Sequence, residues 1–185
     1  MNKIIIKDIG DECKILDFHS IKSTYLGEDR FGNKRFDTIY TELGKLVYDL
    51  KYGNDKETVD KILELIKEEL EVYRDKIDII IPVPPSNKVR YYQPVFELVK
   101  TFARHLNKEY KLNILNKITS VQAKDGKSVE NMIKLEYNFD RKVNVLLVDD
   151  LFNTGNTLRE CYKVLKQDCN IEKVYCLVMT RRRRK

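Results

Sequence analysis

The sequence predicts an α/β protein with a mainly parallel β-sheet flanked by helices. Strand-like and helix-like segments alternate from Ile77 onward, as expected for consecutive βαβ units. Two strand-like segments, 77–83 and 143–148, are almost continuously apolar. A strand with helices on both of its faces buries every side chain, so these runs indicate a parallel sheet that is covered on both sides.

The N-terminal segment, residues 1–36, contains short strand-like runs instead. Ile4–Ile6 and Ile15–Leu16 are separated by a turn around Gly10, which predicts a hairpin with a longer loop. Residues 26–34 are mostly polar and contain glycine, so we expect a loop there. This part of the chain is therefore predicted to be a small β-rich hairpin region.

Two helices are predicted within residues 37–76. Apolar residues recur at helical spacing over 36–51 and again over 59–73. Gly44 slightly weakens the first helix, and the polar stretch around Gly53 separates the two. The helical region is expected to lead directly into the first strand of the parallel sheet.

The predicted core, residues 77–180, contains the remaining elements. Proline suits the first turn of a helix, so the helix after the first core strand is expected to begin at Pro94. The core elements predicted from the sequence are a strand over 77–83, a helix over 94–105, a strand over 112–115, a mobile polar loop over 120–130, a strand over 143–148, a helix containing 158–165 and a last strand over 174–179.

Length and composition suit a single globular domain without membrane segments. The 185 residues are 42% apolar and 35% charged, enough for one α/β core with a well-solvated surface. No apolar run is long enough to cross a bilayer, and the N-terminus lacks a secretory signal. We therefore expect a cytoplasmic protein with no membrane partner.

Cysteine spacing and net charge indicate which kinds of ligand to expect. The four cysteines form no C-x-x-C pair, so no zinc site is expected, and Cys161 and Cys176 fall at predicted core positions. The net charge of +6 favours an anionic ligand or a nucleic-acid surface. Much of this charge lies at the C-terminal end, which consists of Arg181, Arg182, Arg183, Arg184 and Lys185.

The most informative segment is 145–158. An apolar strand runs into two adjacent carboxylates, Asp149 and Asp150, and a short polar loop and a helical pattern follow. Carboxylates accept hydrogen bonds from vicinal hydroxyls, while loop amides and a helix N-terminus favour a phosphate. The pattern therefore predicts a site for a phosphorylated sugar. Its candidate phosphate-binding residues are Asn153, Thr154, Gly155, Asn156 and Thr157.

Parts of this segment also occur in other settings. An Asp-Asp pair follows a strand in response-regulator receivers, but there it follows the first strand, whereas Asp149 lies late in this chain. Thr157 and Glu160 have the spacing of a capping box, which is compatible with phosphate binding but would use the same first-turn amides. Open α/β sheets bind ligands at the carboxyl ends of their strands, which favours the sugar-phosphate site.

The segment 145–158 resembles the phosphoribosyl-pyrophosphate (PRPP) motif of type I phosphoribosyltransferases. In that family a hydrophobic strand ends in two acidic residues, and a loop of the type Thr-Thr-Gly-Ala-Thr follows. Asp149 and Asp150 match the acids, and 153–157 match the loop. The resemblance implies the type I phosphoribosyltransferase fold, with 77–180 as the PRPP-binding core and 1–36 as a hood over the acceptor.

Two further segments are similar to ComF-like phosphoribosyltransferases. Residues 80–86, followed by Arg90 and Gln93, resemble that family's Pro-Val-Pro-Leu segment and the Arg-Gly-Phe-Asn-Gln sequence that opens its next helix. Residues 43–52 resemble its Leu-Lys-Tyr helix. The three motifs occur in the family's order, so the resemblance covers roughly residues 43–180.

The chain departs from the ComF-like pattern in three places. The family's N-terminal cysteine-rich zinc ribbon has no counterpart in this sequence. The Arg-Gly-Phe-Asn-Gln segment is reduced to Arg-Tyr-Tyr-Gln over 90–93, and no arginine occurs between Gln122 and Asn138. These departures keep a non-catalytic function open beside an enzymatic one.

The resemblance implies a role for each candidate residue. In the family a nucleophile displaces pyrophosphate from C1 of the ribose. Asp149 and Asp150 would accept from the ribose 2- and 3-hydroxyls, 153–157 would hold the 5-phosphate, and Lys127 would close over the leaving group from the mobile loop. Mg²⁺ would bridge oxygens of PRPP, so that few protein ligands are needed. The loop against the pyrophosphate would consist of Pro84, Pro85 and Ser86.

The acceptor is left open by the sequence. In hypoxanthine–guanine phosphoribosyltransferases the position matching Asn153 is an aspartate that handles a purine proton, and an asparagine amide cannot act as that base. The acceptor is therefore another base, an amine, or absent. The two histidines, His19 and His105, are expected to be structural, the latter stabilising the end of its helix.

Two alternative functions follow from the same residues. The basic end 181–185 is either a solvated terminus or a DNA contact, and ComF-like proteins are associated with DNA uptake. The chain would then be a PRPP-sensing or DNA-binding module without turnover. A third alternative is a partner-binding domain with a vestigial site. A homodimer is also open, since dimers are common among such proteins.

Overall fold

A computed structural model describes residues 1–53, 57–85, 92–119 and 131–183. The elements follow the chain in the order β1 (Ile4–Ile6), β2 (Glu12–Phe18), β3 (Ser20–Glu28), β4 (Lys34–Tyr40), α1 (Glu42–Tyr52), α2 (Glu57–Glu71), β5 (Ile79–Pro82), α3 (Pro94–Leu106), β6 (Glu109–Tyr110), β7 (Leu115–Thr119), β8 (Asn131–Leu135), β9 (Val143–Phe152), α4 (Asn156–Leu165) and β10 (Ile171–Arg181).

The central sheet has six strands in the order β1-β2-β10-β9-β5-β6. All of its neighbouring strands are parallel except β1, which pairs antiparallel with β2. The expected α/β architecture with a mainly parallel sheet is confirmed. The predicted N-terminal hairpin β1–β2 is confirmed as well, and β2 joins it to the central sheet by pairing with β10.

Alternate residues of the central strands fill two separate cores, one on each face of the sheet. Ile79 and Val145 belong to the core beneath α4, while Ile80 and Leu146 belong to the core beneath α1, α2 and α3. All four side chains are at most 1% exposed. The two cores explain why these strands are apolar at every position. Within the described parts of the chain, no helix is long and apolar enough to cross a membrane.

The predicted start of the first helix is wrong. Residues 36–40 belong to β4, which pairs antiparallel with β3 in a two-stranded sheet, and α1 begins only at Glu42. Thr41 forms the N-cap, since its side chain accepts a hydrogen bond from the Gly44 amide at 3.0 Å. The apolar residues of β4 happen to continue the helical spacing of α1, so periodicity alone placed the boundary too early. The predicted 26–34 loop is correspondingly shorter, because β3 extends to Glu28.

The predicted strand over 112–115 is also misplaced. The sheet edge is formed by β6 at Glu109–Tyr110, and β7 begins at Leu115 and pairs with β8 in a separate antiparallel sheet. The sequence prediction missed β8, a strand of only five residues in which the adjacent Met132 and Ile133 interrupt the alternation of polar and apolar residues. The loop predicted over 120–130 lies outside the described residues. The helices predicted over 59–73, 94–105 and 158–165 are confirmed as α2, α3 and α4.

Gly44 allows helix α1 to pack tightly against the chain at His19. A Cβ atom on Gly44 would stand 1.9 Å from the carbonyl oxygen of His19, which is a backbone atom and cannot rotate away. The glycine therefore serves a close approach of two backbones rather than marking a weak helix. This approach fixes the position of α1, whose C-terminal turn reaches the functional site described below.

We predict that Gly44→Ala destabilises the protein by roughly 1–3 kcal/mol, because the added methyl group overpacks this contact. In an open helix the same change would stabilise by about 1 kcal/mol. The free energy of unfolding from urea titration measures the difference. Lys45→Ala, at the exposed neighbouring position, should change it by no more than about 0.5 kcal/mol. A stabilised Gly44→Ala protein would contradict the proposed contact.

Candidate functional site

The acidic pair lies at the carboxyl end of β9, in the middle of the sheet between β10 and β5. Asp149 and Asp150 are partly buried, and the Asp150 side chain is 14% exposed. One oxygen of the Asp149 carboxylate, Oδ1, accepts a hydrogen bond from the Asp150 amide at 2.9 Å. The two carboxylates therefore belong to the edge where parallel strands end, as expected from the sequence.

The loop after β9 leads directly into α4. Gly155 has φ +84°, a left-handed conformation that favours glycine, and it occupies the N-cap position without a capping side chain. The helix begins at Asn156, so Thr157 already lies within its first turn, and the predicted capping box of Thr157 and Glu160 is wrong. Helix N-termini that lack a side-chain cap retain N–H groups and a positive dipole end that favour an anion.

A cavity of about 480 Å³ joins the acidic pair to this loop. Such a volume falls within the range of small-molecule sites. The cavity brings together most of the residues that the sequence singled out, and it adds residues from α1, α3 and β7. Its lining consists of Lys51, Tyr52, Val83, Pro84, Pro85, Gln93, Pro94, Val95, Lys117, Asp149, Asp150, Leu151, Phe152, Asn153, Thr154, Gly155, Asn156, Thr157 and Leu158.

Two predicted site residues, Ser86 and Lys127, lie outside the described residues. The structure therefore places Pro84 and Pro85 at the cavity, at the end of β5, and gives no position for the rest of the predicted pyrophosphate loop. Gln93 also lines the cavity. In the sequence it stood out only because 90–93 resembles the start of a helix in ComF-like proteins.

Lys51 is the main functional residue that sequence reasoning missed. Its Nζ atom lies 3.0 Å from Oδ1 of Asp150, and its side chain is 23% exposed. The lysine is in the last turn of α1. The only signal in the sequence was its place in the Leu-Lys-Tyr segment, because nothing in one sequence shows that this helix ends at the acidic pair.

The environment of the acidic pair raises the pKa of Asp149 to about 7. The main cause is burial, which disfavours the charged form, and the second is the negative charge of Asp150. The hydrogen bond from the Asp150 amide and the positive charges of Lys51 and Lys117 act in the opposite direction. The positive charges of two lysines from separate elements thus partly counteract the rise in the pKa of Asp149.

The main chain of Asp150 is held by a buried relay of two side chains. The Thr180 hydroxyl donates a hydrogen bond to the Asp150 carbonyl at 3.2 Å, and Nδ1 of His19 lies 3.1 Å from the same hydroxyl. Because the hydroxyl proton points to the carbonyl, His19 is the donor to Thr180. Burial, followed by the charges of Lys51 and Arg182, lowers the pKa of His19. The neutral ring therefore carries its proton on Nδ1.

Arg159 connects the loop before α4 to the N-terminal hairpin. Its guanidinium donates to the Thr154 carbonyl at 3.0 Å and to the Asp8 carboxylate at 2.7 Å. Phe152 and Ile9 close around Gly155, since a Cβ atom there would lie 2.7 Å from the Phe152 ring and 3.0 Å from the Ile9 side chain. The loop is consequently fixed by tertiary contacts that its own sequence does not reveal.

His105 lies away from this site. Its Nε2 atom is 2.6 Å from a carboxylate oxygen of Glu71, which also binds Arg74. Arg74 in turn donates to the carbonyls of His105 and Leu106 at the end of α3. This cluster joins the C-terminal ends of α2 and α3, which agrees with the structural role expected for His105.

No cluster of three or more His, Cys, Asp or Glu side chains that could hold a metal occurs among the described residues. Cys13, Cys161 and Cys176 are buried, and Cys169 is exposed. The cysteines at positions 161 and 176 therefore occupy the core, as the apolar pattern predicted. The negative charge of the candidate site is concentrated in the acidic pair.

Comparison with known proteins supports the fold. No protein-family model matches the sequence, and no curated protein is significantly similar to it. An adenine phosphoribosyltransferase structure is 15% identical, with a TM-score of 0.50 over 87% of this chain and 86% of that chain. The Saccharomyces cerevisiae adenine phosphoribosyltransferase, complexed with adenine and an imino-altritol bisphosphate, is 15% identical, with a TM-score of 0.49 over 85% and 83%.

A purine phosphoribosyltransferase from Pyrococcus horikoshii is 18% identical, with a TM-score of 0.44 over 66% of this chain and 82% of that chain. Identities this low concern the fold alone. The structural neighbours are type I phosphoribosyltransferases, and the chain has the type I phosphoribosyltransferase fold.

We predict that the Asp149 carboxyl titrates with a pKa of about 7 in the folded protein, against its ordinary value of 3.8. The unfolded carboxyl ionises first as the pH rises, so this group's contribution to stability declines between about pH 4 and pH 7. Carbon-13 NMR of the Asp149 side-chain carboxyl group, followed through a pH titration, measures this pKa. Asp150→Asn should lower it, since a neighbouring negative charge is removed. A pKa near 4 in the unmodified protein would contradict the described environment.

Proposed function

We propose that this protein binds PRPP and transfers its phosphoribosyl group to an acceptor, with release of pyrophosphate. One observation carries the proposal: Asp149 and Asp150 share a single cavity with the uncapped N-terminus of α4. Hydroxyl-accepting carboxylates and an anion-binding helix end, placed side by side, match the two ends of a ribose 5-phosphate.

The acidic pair, the loop 153–157 and the two prolines each have a role in this proposal. The acidic pair would accept hydrogen bonds from the ribose 2- and 3-hydroxyls. The amides of the loop 153–157 and the hydroxyls of Thr154 and Thr157 would hold the 5-phosphate. The pyrophosphate would lie towards the end of β5, where Pro84 and Pro85 line the cavity. Ser86 and Lys127 are assigned to the pyrophosphate by resemblance alone.

The donor set suits Mg²⁺ that is bound largely through the substrate. Mg²⁺ commonly uses one or two carboxylates together with substrate phosphates and water, rather than a cage of protein ligands. The described residues offer an acidic pair and no larger cluster of metal-binding side chains. When bound, Mg²⁺ would neutralise charge on the pyrophosphate, while the protein orients the ribose.

The proposed reaction breaks the bond between C1 of the ribose and the pyrophosphate oxygen, and forms a bond from C1 to the acceptor. The bonding electrons leave with pyrophosphate. The protein contributes mainly by positioning and by stabilising charge as C1 becomes oxocarbenium-like. Adenine is the first acceptor to test, because the neighbour with a TM-score of 0.50 is an adenine phosphoribosyltransferase; amines complete the panel.

A narrower assignment to the ComF-like phosphoribosyltransferases is also proposed. It rests on the segments 43–52 and 80–86 and on their order along the chain. Under this assignment the protein acts in the cytoplasm, and a homodimer is the oligomeric state to examine first. PRPP sensing without turnover is the corresponding non-catalytic alternative, which an acceptor screen for released pyrophosphate separates from catalysis.

We predict saturable, Mg²⁺-dependent PRPP binding in isothermal titration calorimetry. The double variant Asp149→Asn/Asp150→Asn should bind at least about tenfold more weakly, because an amide is a poorer acceptor for hydroxyls than a carboxylate. Asp140→Asn/Glu172→Gln removes the same two charges from exposed positions and should leave binding unchanged. Undiminished binding in the acidic-pair variant would remove this site assignment.

DNA binding is the second candidate function. Arg182 and Arg183 are exposed beyond the end of β10, and the Arg183 guanidinium lies 4.6 Å from the centre of the Phe18 ring. Exposed cations beside an aromatic ring are a common arrangement for contacts with single-stranded nucleic acid. Arg181, by contrast, belongs to β10 and packs over Phe152, so it is part of the folded sheet.

We predict that Arg182→Ala/Arg183→Ala weakens binding to single-stranded DNA and reduces its salt slope by about two, one for each lost phosphate contact. Fluorescence anisotropy over a range of salt concentrations measures both quantities. Lys163→Ala/Lys173→Ala removes two exposed charges elsewhere and serves as the matched control. An unchanged slope in the arginine variant would exclude Arg182 and Arg183 as DNA contacts.

A further inference from the structure

The proposed function leaves one segment of the sequence without a role, the Leu50-Lys51-Tyr52 end of helix α1. Leu50 is fully buried in the core beneath α1, α2 and α3. Tyr52 lines the cavity and packs against Tyr48, with ring centres 4.8 Å apart. Lys51, between them, reaches the Asp150 carboxylate. Three consecutive residues thus connect the core, at Leu50, to the candidate site, at Lys51 and Tyr52.

Helix α1 has little freedom at this point. Leu50 anchors its last turn in the core, and the close approach of Gly44 to His19 fixes its first turn. The backbone of Lys51 is therefore held by packing on both sides. Its ammonium group lies 3.0 Å from one carboxylate oxygen of Asp150, and both side chains are largely shielded from solvent, at 23% and 14% exposure.

Two adjacent carboxylates at such a position need positive charge nearby. Charges interact more strongly in a partly buried site than at an open surface, and an unpaired buried carboxylate is costly. The charged and titratable groups around the pair come from three parts of the fold. Lys51 from α1 and Lys117 from β7 act on Asp149, and Asp150 acts on His19 in the chain after β2. Of these, Lys51 forms the described ion pair with Asp150.

We propose that Lys51 is a positioning residue that holds the Asp150 carboxylate in a fixed orientation for the ribose hydroxyls. This inference rests on the proposed function. A carboxylate has about four lone-pair sites, so a lysine on Oδ1 leaves acceptor capacity for a hydroxyl. The Thr180 hydroxyl holds the main chain of the same residue. Asp150 is therefore fixed at its carbonyl and at its side chain.

The alternative is that Lys51 binds an anionic group of the substrate directly. The geometry favours action through Asp150, because the ammonium group is already bound to that carboxylate. The two possibilities give different results when Asp150 is itself changed. If Lys51 acts through Asp150, its removal has little further effect once Asp150 is an asparagine. If Lys51 contacts the substrate, the two losses multiply.

The experiment is a double-mutant cycle of Lys51→Met and Asp150→Asn, with PRPP and Mg²⁺ as the ligand in calorimetry. We expect Lys51→Met to weaken binding about tenfold, and Lys51→Arg to retain most of the affinity because it keeps the charge. In the Asp150→Asn background, Lys51→Met should change the dissociation constant by less than about twofold. Lys45→Met, an exposed lysine on the same helix, is the matched control and should bind normally.

A second ligand and a second measurement complete the test. Ribose 5-phosphate lacks the pyrophosphate, so it should lose affinity in Lys51→Met by the same factor as PRPP. Urea unfolding of the four cycle proteins reports the ion pair without any ligand. We expect Lys51→Met to lower the unfolding midpoint, and Asp150→Asn to restore part of the loss, since it removes the unpaired charge.

Each remaining outcome overturns the inference in a distinct way. Normal PRPP binding by Lys51→Met, or effects that multiply in the double variant, would overturn it while leaving the proposed function intact. If Lys51→Met weakened the binding of PRPP but not that of ribose 5-phosphate, Lys51 would instead contact the pyrophosphate. Wild-type protein that binds no PRPP would overturn the proposed function and this inference together, and the unfolding cycle would then report a purely structural ion pair.

Discussion

The placement of two adjacent carboxylates at a partly buried strand end is the constraint that governs the rest of the site. Burial and the negative charge of Asp150 both oppose ionisation of Asp149, and the raised pKa of Asp149 reflects this. The protein offsets the cost with lysines from α1 and β7. Under the proposed function, the helices and strands that carry these lysines must therefore be correctly packed before the acidic pair can accept hydrogen bonds from a sugar.

The order of the strands explains why one cavity contains both the acidic pair and the N-terminus of α4. Strand β9 lies between β10 and β5, so its carboxyl end is flanked by the ends of two parallel neighbours. The loop 153–155 leaves from the same strand end, and α4 begins immediately after it. A single strand–loop–helix unit thus brings together the acidic pair, the loop and the helix N-terminus. Residues from α1, α3, β7 and the end of β5 complete the lining of the cavity.

The central strands, three of the four helices and the acidic motif could be predicted because each is encoded locally. Continuous apolar runs follow from burial on both faces, and helical spacing follows from one buried face. The start of α1 could not be predicted in this way, because the apolar side chains of β4 extend the helical spacing. The pairing of β3 with β4, and the Thr41 cap, decide that boundary.

Residues close together in the chain are enough to specify the α/β class, the parallel core and the acidic pair with its glycine-containing loop. Tertiary packing was needed to bring Lys51 to Asp150, His19 to Thr180, and Arg159 to Asp8. The last two of these contacts join residues 161 and 151 positions apart. The packing of helices and strands brings these residues together, as it brings Gly44 against the backbone of His19. No local pattern of residue types predicts such contacts.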